Sequence, residues 1–323
     1  MKRNVLPSLR PGAIPRNHEV LRAVASGLTD VGLQRDHNED SYAVLSEYDL
    51  FIVADGMGGH RAGDVASRMA TESIADFFRT TAREDATWPF HFDTSLSEEE
   101  NRLVAGIRVA NRQIFERSLR SRDCAGMGTT VVGALFSRKK NRLYVGHVGD
   151  SRAYRIRGGV ITQLTRDHSL FNDYIAAMPD LTEEQRAELP RNVITRALGM
   201  QDNVVVDLMN DDPQTGDVFL LCSDGLSGML ADEQILEIVE STVDVSEACR
   251  LLISRANENG GDDNITVLAI RFQEEEPLVD PLDAPTEPEG IPVYEAELPP
   301  ASEQVTPTAP NTAPVPPSSP EES

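Results

Sequence analysis

The chain has 323 residues, 40 % of them apolar, which allows one large or two small domains with a sizeable core. Its 30 lysines and arginines stand against 53 aspartates and glutamates, a net charge of −23 that argues against a nucleic-acid or anionic-membrane surface. Cys124, Cys222 and Cys249 are odd in number and widely spaced, without a CxxC spacing, so they read as reduced cytosolic thiols and exclude a disulfide framework.

At the amino terminus Lys2, Arg3 and Arg10 are interrupted by Pro7, Pro11 and Pro15, and no apolar segment follows, so residues 1–17 read as a flexible arm rather than a secretory signal. Helical periodicity appears around Val65, Met69, Ile74, Phe77 and Phe78, and again around Leu103, Ile107, Ala110 and Ile114. Ser97 with Glu100 fits a capping box at the start of the second helix. A strand meander is expected next: Thr130–Phe136, a turn at Arg138 to Asn141, Leu143–Val148, then Ala153–Ile156, Gly158-Gly159 and Val160–Leu164. Connections this short demand antiparallel pairing.

A mostly polar insert at about 167–192 follows, in which Thr182 and Gln185 fit a second capping box. After further strands, Ala248, Leu251, Leu252 and Ala256 mark a helix that Gly260-Gly261 can stop, and a last strand begins near Ile265. The fold class is therefore α+β, with antiparallel sheets covered by helices, in a domain spanning 18–272. From about Gln273 to Ser323 there is no Lys or Arg, prolines are spaced through the segment, and a disordered acidic tail is expected. Nowhere does an apolar stretch reach the roughly 18 residues that a bilayer-spanning helix needs, so the expected location is cytoplasmic, with no membrane partner.

Three apolar runs end in an aspartate beside a glycine: Phe51 to Asp55-Gly56, Leu143 to Gly149-Asp150, and Val218 to Asp224-Gly225. Asp262-Asp263 opens the final run Asn264–Ile270. Strands that end on carboxylates gather acids at one sheet edge, where only a cation makes their burial tolerable. That pattern points to a hard-metal site. Singly, each motif is ambiguous. Arg35-Asp36-His37-Asn38-Glu39-Asp40 is compatible with a solvated hairpin, and Asp55-Gly56 with an ordinary hairpin turn.

Together they resemble a family. Arg35 to Asp40, Val53 to Gly59, Gly126 to Thr130, Gly146 to Arg152, Leu164 to Ser169, Thr195 to Gly199, Ser223 to Leu226 and Asp262 to Thr266 occur in the order seen in the bacterial branch of the PP2C-type (PPM) metal-dependent protein phosphatases. The resemblance implies a sandwich of two antiparallel β-sheets flanked on both outer faces by helices. It also implies two Mn²⁺ or Mg²⁺ ions and hydrolysis of phosphoserine or phosphothreonine in proteins, opposing serine/threonine kinases. By similarity Asp55 bridges two ions, the Gly56 carbonyl binds one, Asp224 and Asp263 complete the first, and Glu39 serves the second.

All these ligands are oxygens, which suits Mg²⁺ or Mn²⁺ rather than zinc. Two such ions can turn a bridging water into a hydroxide in line with phosphorus, with Asp40 orienting it. Arg35 is the natural phosphate clamp, because its planar fork bonds two phosphate oxygens at once. Met57 stands where some relatives carry a proton-donating histidine, which leaves a metal-bound water, His37 or His60 for that task. Asp150 is retained for a third ion, but Gly228 stands where many relatives place a supporting aspartate. Thr129, Arg152, Asp167, His168, Arg196 and Asn264 are read as scaffold around the ligands. The expected partners are phosphorylated proteins, including serine/threonine kinases and their substrates, met by a monomer. A phosphatase-like scaffold that recruits partners without hydrolysis is the rival from the binding class.

Overall fold

The apolar runs that end on aspartates are strands buried on both faces, and this explains why they read as continuous rather than alternating. In the computed structural model, which describes residues 20–58, 62–82, 92–190 and 193–275, strands β1 (Leu21–Asp30), β2 (Asp40–Leu45) and β3 (Leu50–Met57) come first. Helices α1 (Ala62–Thr80) and α2 (Glu98–Arg120) follow, then β4 (Gly128–Thr129), β5 (Val131–Ser137), β6 (Arg142–Val148), β7 (Arg152–Arg157) and β8 (Val160–Gln163). The insert holds α3 (Leu170–Ala177) and α4 (Glu183–Ala187). The chain then forms β9 (Asp207–Asp211), β10 (Val218–Cys222), the single turn α5 (Asp224–Ser227), α6 (Asp232–Ser241), α7 (Val245–Glu258) and β11 (Ile265–Glu274).

Two antiparallel sheets result, one in the order β1-β11-β10-β7-β8 and the other β2-β3-β5-β6-β9, with β4 against β3. Each central strand divides its side chains between two cores. On β3, Phe51 and Val53 point between the sheets, against Phe219, Leu221, Leu268 and Phe272, while Leu50, Ile52 and Ala54 point outward to α1 and α2. On β10, Phe219 and Leu221 face inward, and Val218, Leu220 and Cys222 face the layer built by α6 and α7. The layers are thus helix, sheet, sheet, helix, as the resemblance implied.

Local signals hold. Ser97 Oγ accepts from Glu100 N while Glu100 accepts from Ser97 N, and Thr182 and Gln185 do the same. Helix α7 ends at Glu258 and is capped by Asn259, with Gly260 and Gly261 both at positive φ. The meander does not hold: β5 pairs with β6 and β7 with β8, but β6 and β7 lie in different sheets. Gly149-Asp150-Ser151 carries the chain from one sheet to the other, and Gly149 makes the turn at φ 107. The expected arm at 1–17 and residues 276–323 of the expected tail lie outside the described residues, whereas Gln273 and Glu274 still pair with β1. Among the described residues no helix is long and apolar enough to cross a membrane.

Candidate metal centre

Strand pairing brings the first two acids together. Asp40 opens β2 directly opposite Asp55 near the end of β3. Gly56 follows, its N–H donating to the Glu39 carbonyl, and a Cβ there would lie 2.1 Å from Gly63 O in the first turn of α1. No larger residue fits that approach. The Glu39 carboxylate sits over the same helix start, held by the Gly63 N–H, and a Cβ on Gly63 would come within 2.7 Å of it.

The other sheet supplies the remaining acids. Ser223 leaves β10 and caps α5, which begins at Asp224. Asp263 precedes β11, and Asp150 lies in the crossing between the sheets. Thr130 ties the two halves: its hydroxyl accepts from Asp55 N and bonds Ser151 Oγ at 2.6 Å, while its N–H donates to Asp55 O.

The cluster is strongly anionic and poorly compensated. Burial, followed by the charges of Asp40, Asp224, Asp150 and Asp263, holds the Asp55 carboxyl well above the usual range. Burial pushes Asp40 to about 7, against the bonds from Thr266 and Ser223, and pushes Asp150 to about 7 with Asp224 adding to it. Asp224 is raised by burial and then by Asp263, opposed by a hydrogen bond with Asp55, and Glu39 is raised by burial. Four carboxylate oxygens, on Glu39 (Oε1), Asp40 (Oδ1), Asp150 (Oδ1) and, in the first turn of α1, Asp64 (Oδ1), are buried without a hydrogen-bond partner. Orphaned anionic oxygens converging from two sheets fit hard divalent cations and would otherwise be costly.

The outer members of the set are also engaged by neighbouring groups. Asp263 acts on the charge of Asp224 and is also bonded at the rim: Arg35 Nη2 bonds its Oδ2 at 2.7 Å, and Asn264 N donates to its Oδ1. Arg35 is thus at the rim, half exposed and paired with an acid of the cluster. His37 lies on the exposed loop before β2 with its carbonyl bonded by Asn264, and His60 is outside the described residues. At Gly228 the N–H donates to Asp224 O and no carboxylate is available. Among the described residues, the set of three ligand-type side chains whose atoms all lie within 4.8 Å of one another is His147, His168 and Asp207, none of them an acid of this cluster.

Two supporting residues, Ser223 and Thr266, carry no advance signal of their role, whereas Asn264 is expected from its motif as scaffold. Ser223 and Thr266 both donate to Asp40 Oδ2 at 2.7 Å. Asn264 accepts from Glu39 N and donates to Val31 O and His37 O, fastening the acid-bearing loop to β11. Their motifs mark them in sequence, but only the fold reveals what each one touches.

Comparison with known proteins identifies the class to which this two-sheet sandwich, with its acidic centre at one edge, belongs. Residues 34–264 match the family described as Protein phosphatase 2C. The serine/threonine phosphatase stp of Listeria monocytogenes serotype 4b is 39 % identical over 251 residues, covering 75 % of this chain and 93 % of that one. The crystal structure of the Mycobacterium tuberculosis serine/threonine phosphatase PstP/Ppp matches with a TM-score of 0.65 at 36 % identity, over 79 % of this chain and all of that one. A structure of the PstP catalytic domain in complex with two manganese ions matches with a TM-score of 0.64 at 34 % identity, over 78 % and 99 % of the two chains. The chain belongs to the protein phosphatase 2C family. It is a protein serine/threonine phosphatase of the kind found in bacteria.

Proposed function

We propose that this chain hydrolyses phosphoserine and phosphothreonine in proteins with the help of two divalent cations, Mn²⁺ or Mg²⁺, and so reverses serine/threonine kinase signalling. One observation carries the reading: Asp40, Asp55, Asp150 and Asp224, each half-buried, lie close enough to repel one another, and Asp40, Asp150 and the adjoining Glu39 keep buried oxygens that no protein group satisfies. The relative crystallised with two manganese ions supports the number and kind of cation.

In this reading Asp55, the Gly56 carbonyl, Glu39, Asp224 and Asp263 would hold the cations. When bound, the cations supply the Lewis acidity that makes a shared water nucleophilic at neutral pH. Asp40 orients that water. Its Oδ2 is taken by Ser223 and Thr266, which leaves Oδ1 as the acceptor that would orient a water. Arg35 exchanges Asp263 for the substrate, its fork holding two phosphate oxygens. Protonation of the departing serine or threonine oxygen falls to solvent, with His37 and His60 as the side-chain candidates, since Met57 has no proton to give. Asp150 with Asp224 forms the place for a weak third cation. The chain acts as a monomer in the cytoplasm on phosphorylated proteins, serine/threonine kinases and their targets among them.

The test is release of phosphate from a phosphothreonine peptide with Mn²⁺. Wild type should turn over, and Asp55→Asn should lose at least about 100-fold, the scale expected for removing a central charge-stabilising group. An inactive wild type with both Mn²⁺ and Mg²⁺ would favour a partner-recruiting scaffold.

A further inference from the structure

Beside the acidic centre, but not in it, His147 and His168 stack with ring centroids 4.6 Å apart and planes 15° from parallel, next to Asp207. His147 stands directly opposite Asp207 in the β6–β9 pairing. The spacing of these three invites a metal, but the ring geometry does not. Coordinating lone pairs lie in the imidazole plane, so two stacked rings cannot both aim at one ion. The hydrogen bonds give His168 a different role.

Gly149 N donates to His168 Nδ1 at 3.0 Å, and the His168 N–H donates back to Gly149 O at 2.9 Å. A backbone N–H can only donate, so Nδ1 must be the unprotonated nitrogen and Nε2 must carry the hydrogen. Asp207 Oδ2 lies 3.3 Å from Nε2 and receives it. Arg196 Nη1 is also near Nε2, yet its two hydrogens are spent on Asp207 Oδ1 and the Val205 carbonyl. Burial, reinforced by the Arg196 charge, keeps His168 below its ordinary pKa and hence neutral, and His147, pushed down to about 4, presents a neutral face to it.

What His168 grips is the crossing that carries Asp150. Gly149 is held from one side by His168, and Ser151 from the other by Thr130, the residue that also binds the backbone of Asp55. Between them Asp150 presents a buried Oδ1 with no partner. We propose that His168 is a positioning residue for the reaction: held in its Nε2–H tautomer by Asp207, it offers Nδ1 to the Gly149 N–H and so fixes the turn that aims the Asp150 carboxylate at the acidic centre. This inference rests on the metal-dependent phosphatase reading, with Asp150 at work in it.

Two replacements separate the two nitrogens. In His168→Asn the amide oxygen falls near the place of Nδ1 and keeps the acceptor for Gly149; in His168→Gln the amide nitrogen keeps the donor towards Asp207 and the acceptor is lost. With Mn²⁺ and a phosphothreonine peptide, His168→Gln should lower kcat by about tenfold or more with little change in KM, the scale seen when a ligand's supporting partner is removed. His168→Asn should return kcat to within about threefold of wild type. Asp150→Asn should lose at least as much as His168→Gln, and combining the two should add nothing further, because both break one device. Manganese titration followed by electron paramagnetic resonance should show the same order: wild type and His168→Asn tight, His168→Gln weakened.

Melting curves identify variants that fold. Should His168→Gln fail to fold, Asp207→Ala, altering a side chain nearly half exposed, must still lower kcat. Equal kcat for the Asn and Gln variants overturns the inference, as does an Asp207→Ala enzyme with wild-type kcat or an additive double mutant. Wild type lacking activity with Mn²⁺ would instead remove the phosphatase reading beneath it.

Discussion

The carboxyls of Asp40, Asp55 and Asp150 are held at the protonated end of their range by burial and by one another. A carboxyl whose pKa is higher folded than unfolded binds its proton more tightly in the fold, so its stabilising contribution is complete below the ordinary value of 3.8 and is lost as pH rises towards about 7. The metal-free protein should therefore melt at progressively lower temperature between pH 5 and pH 8. Manganese, binding the ionised acids, should raise the melting temperature more at pH 8 than at pH 5. Calorimetry with and without chelator measures both, and a chelated protein whose melting temperature is flat across that interval would contradict the cluster's electrostatics.

At the scale of elements, the meeting of β3 with the first turn of α1 holds Glu39. Adding a methyl in Gly63→Ala places it 2.7 Å from the Glu39 carboxylate and 2.9 Å from the Gly56 carbonyl carbon. Such overpacking should cost about 1–3 kcal/mol of stability. It should also weaken Mn²⁺ binding by about tenfold, measurable by titration calorimetry. The sequence shows the strands that end on Asp55, Asp150 and Asp224, because burial on both faces leaves unbroken apolar runs, and it shows the capping boxes of α2 and α4, because those are local. It does not show that β6 and β7 belong to different sheets. A three-residue link between strands looks like a hairpin from sequence, and only the packing of Val145 and Ala153 into a shared core reveals the crossing. The partners of Asp40 were hidden for the same reason: Ser223 and Thr266 are 183 and 226 residues away. Arg35 is legible as a basic fork beside acids, but its bond to Asp263 depends on a contact across 228 residues.

Over its described residues the domain is three apolar layers separated by two sheets, and the middle one joins the halves of the acidic centre. Phe272 lies in it, its ring edge-on to Phe136 at 4.8 Å and to Phe219 at 5.5 Å. Phe272→Ala should cost about 3–5 kcal/mol, because the ring packs against side chains of both sheets, Phe136 from one and Phe219 from the other. Urea denaturation checks this, and a loss below 1 kcal/mol would mean that the sheets close over the gap.

The pairing of Asp40 with Asp55 has a consequence for folding fidelity. Sliding β2 by one residue along β3 would carry Asp40 about 3.3 Å from its partner, a small error for a chemist to notice in an unfolded chain. Alternation makes the same slip turn the buried β2 residue Leu45 and its half-buried neighbours towards the wrong layers. A chain that mismatches its acids therefore also spoils its oil, and assembly rejects the miswired centre before any cation has the chance to bind.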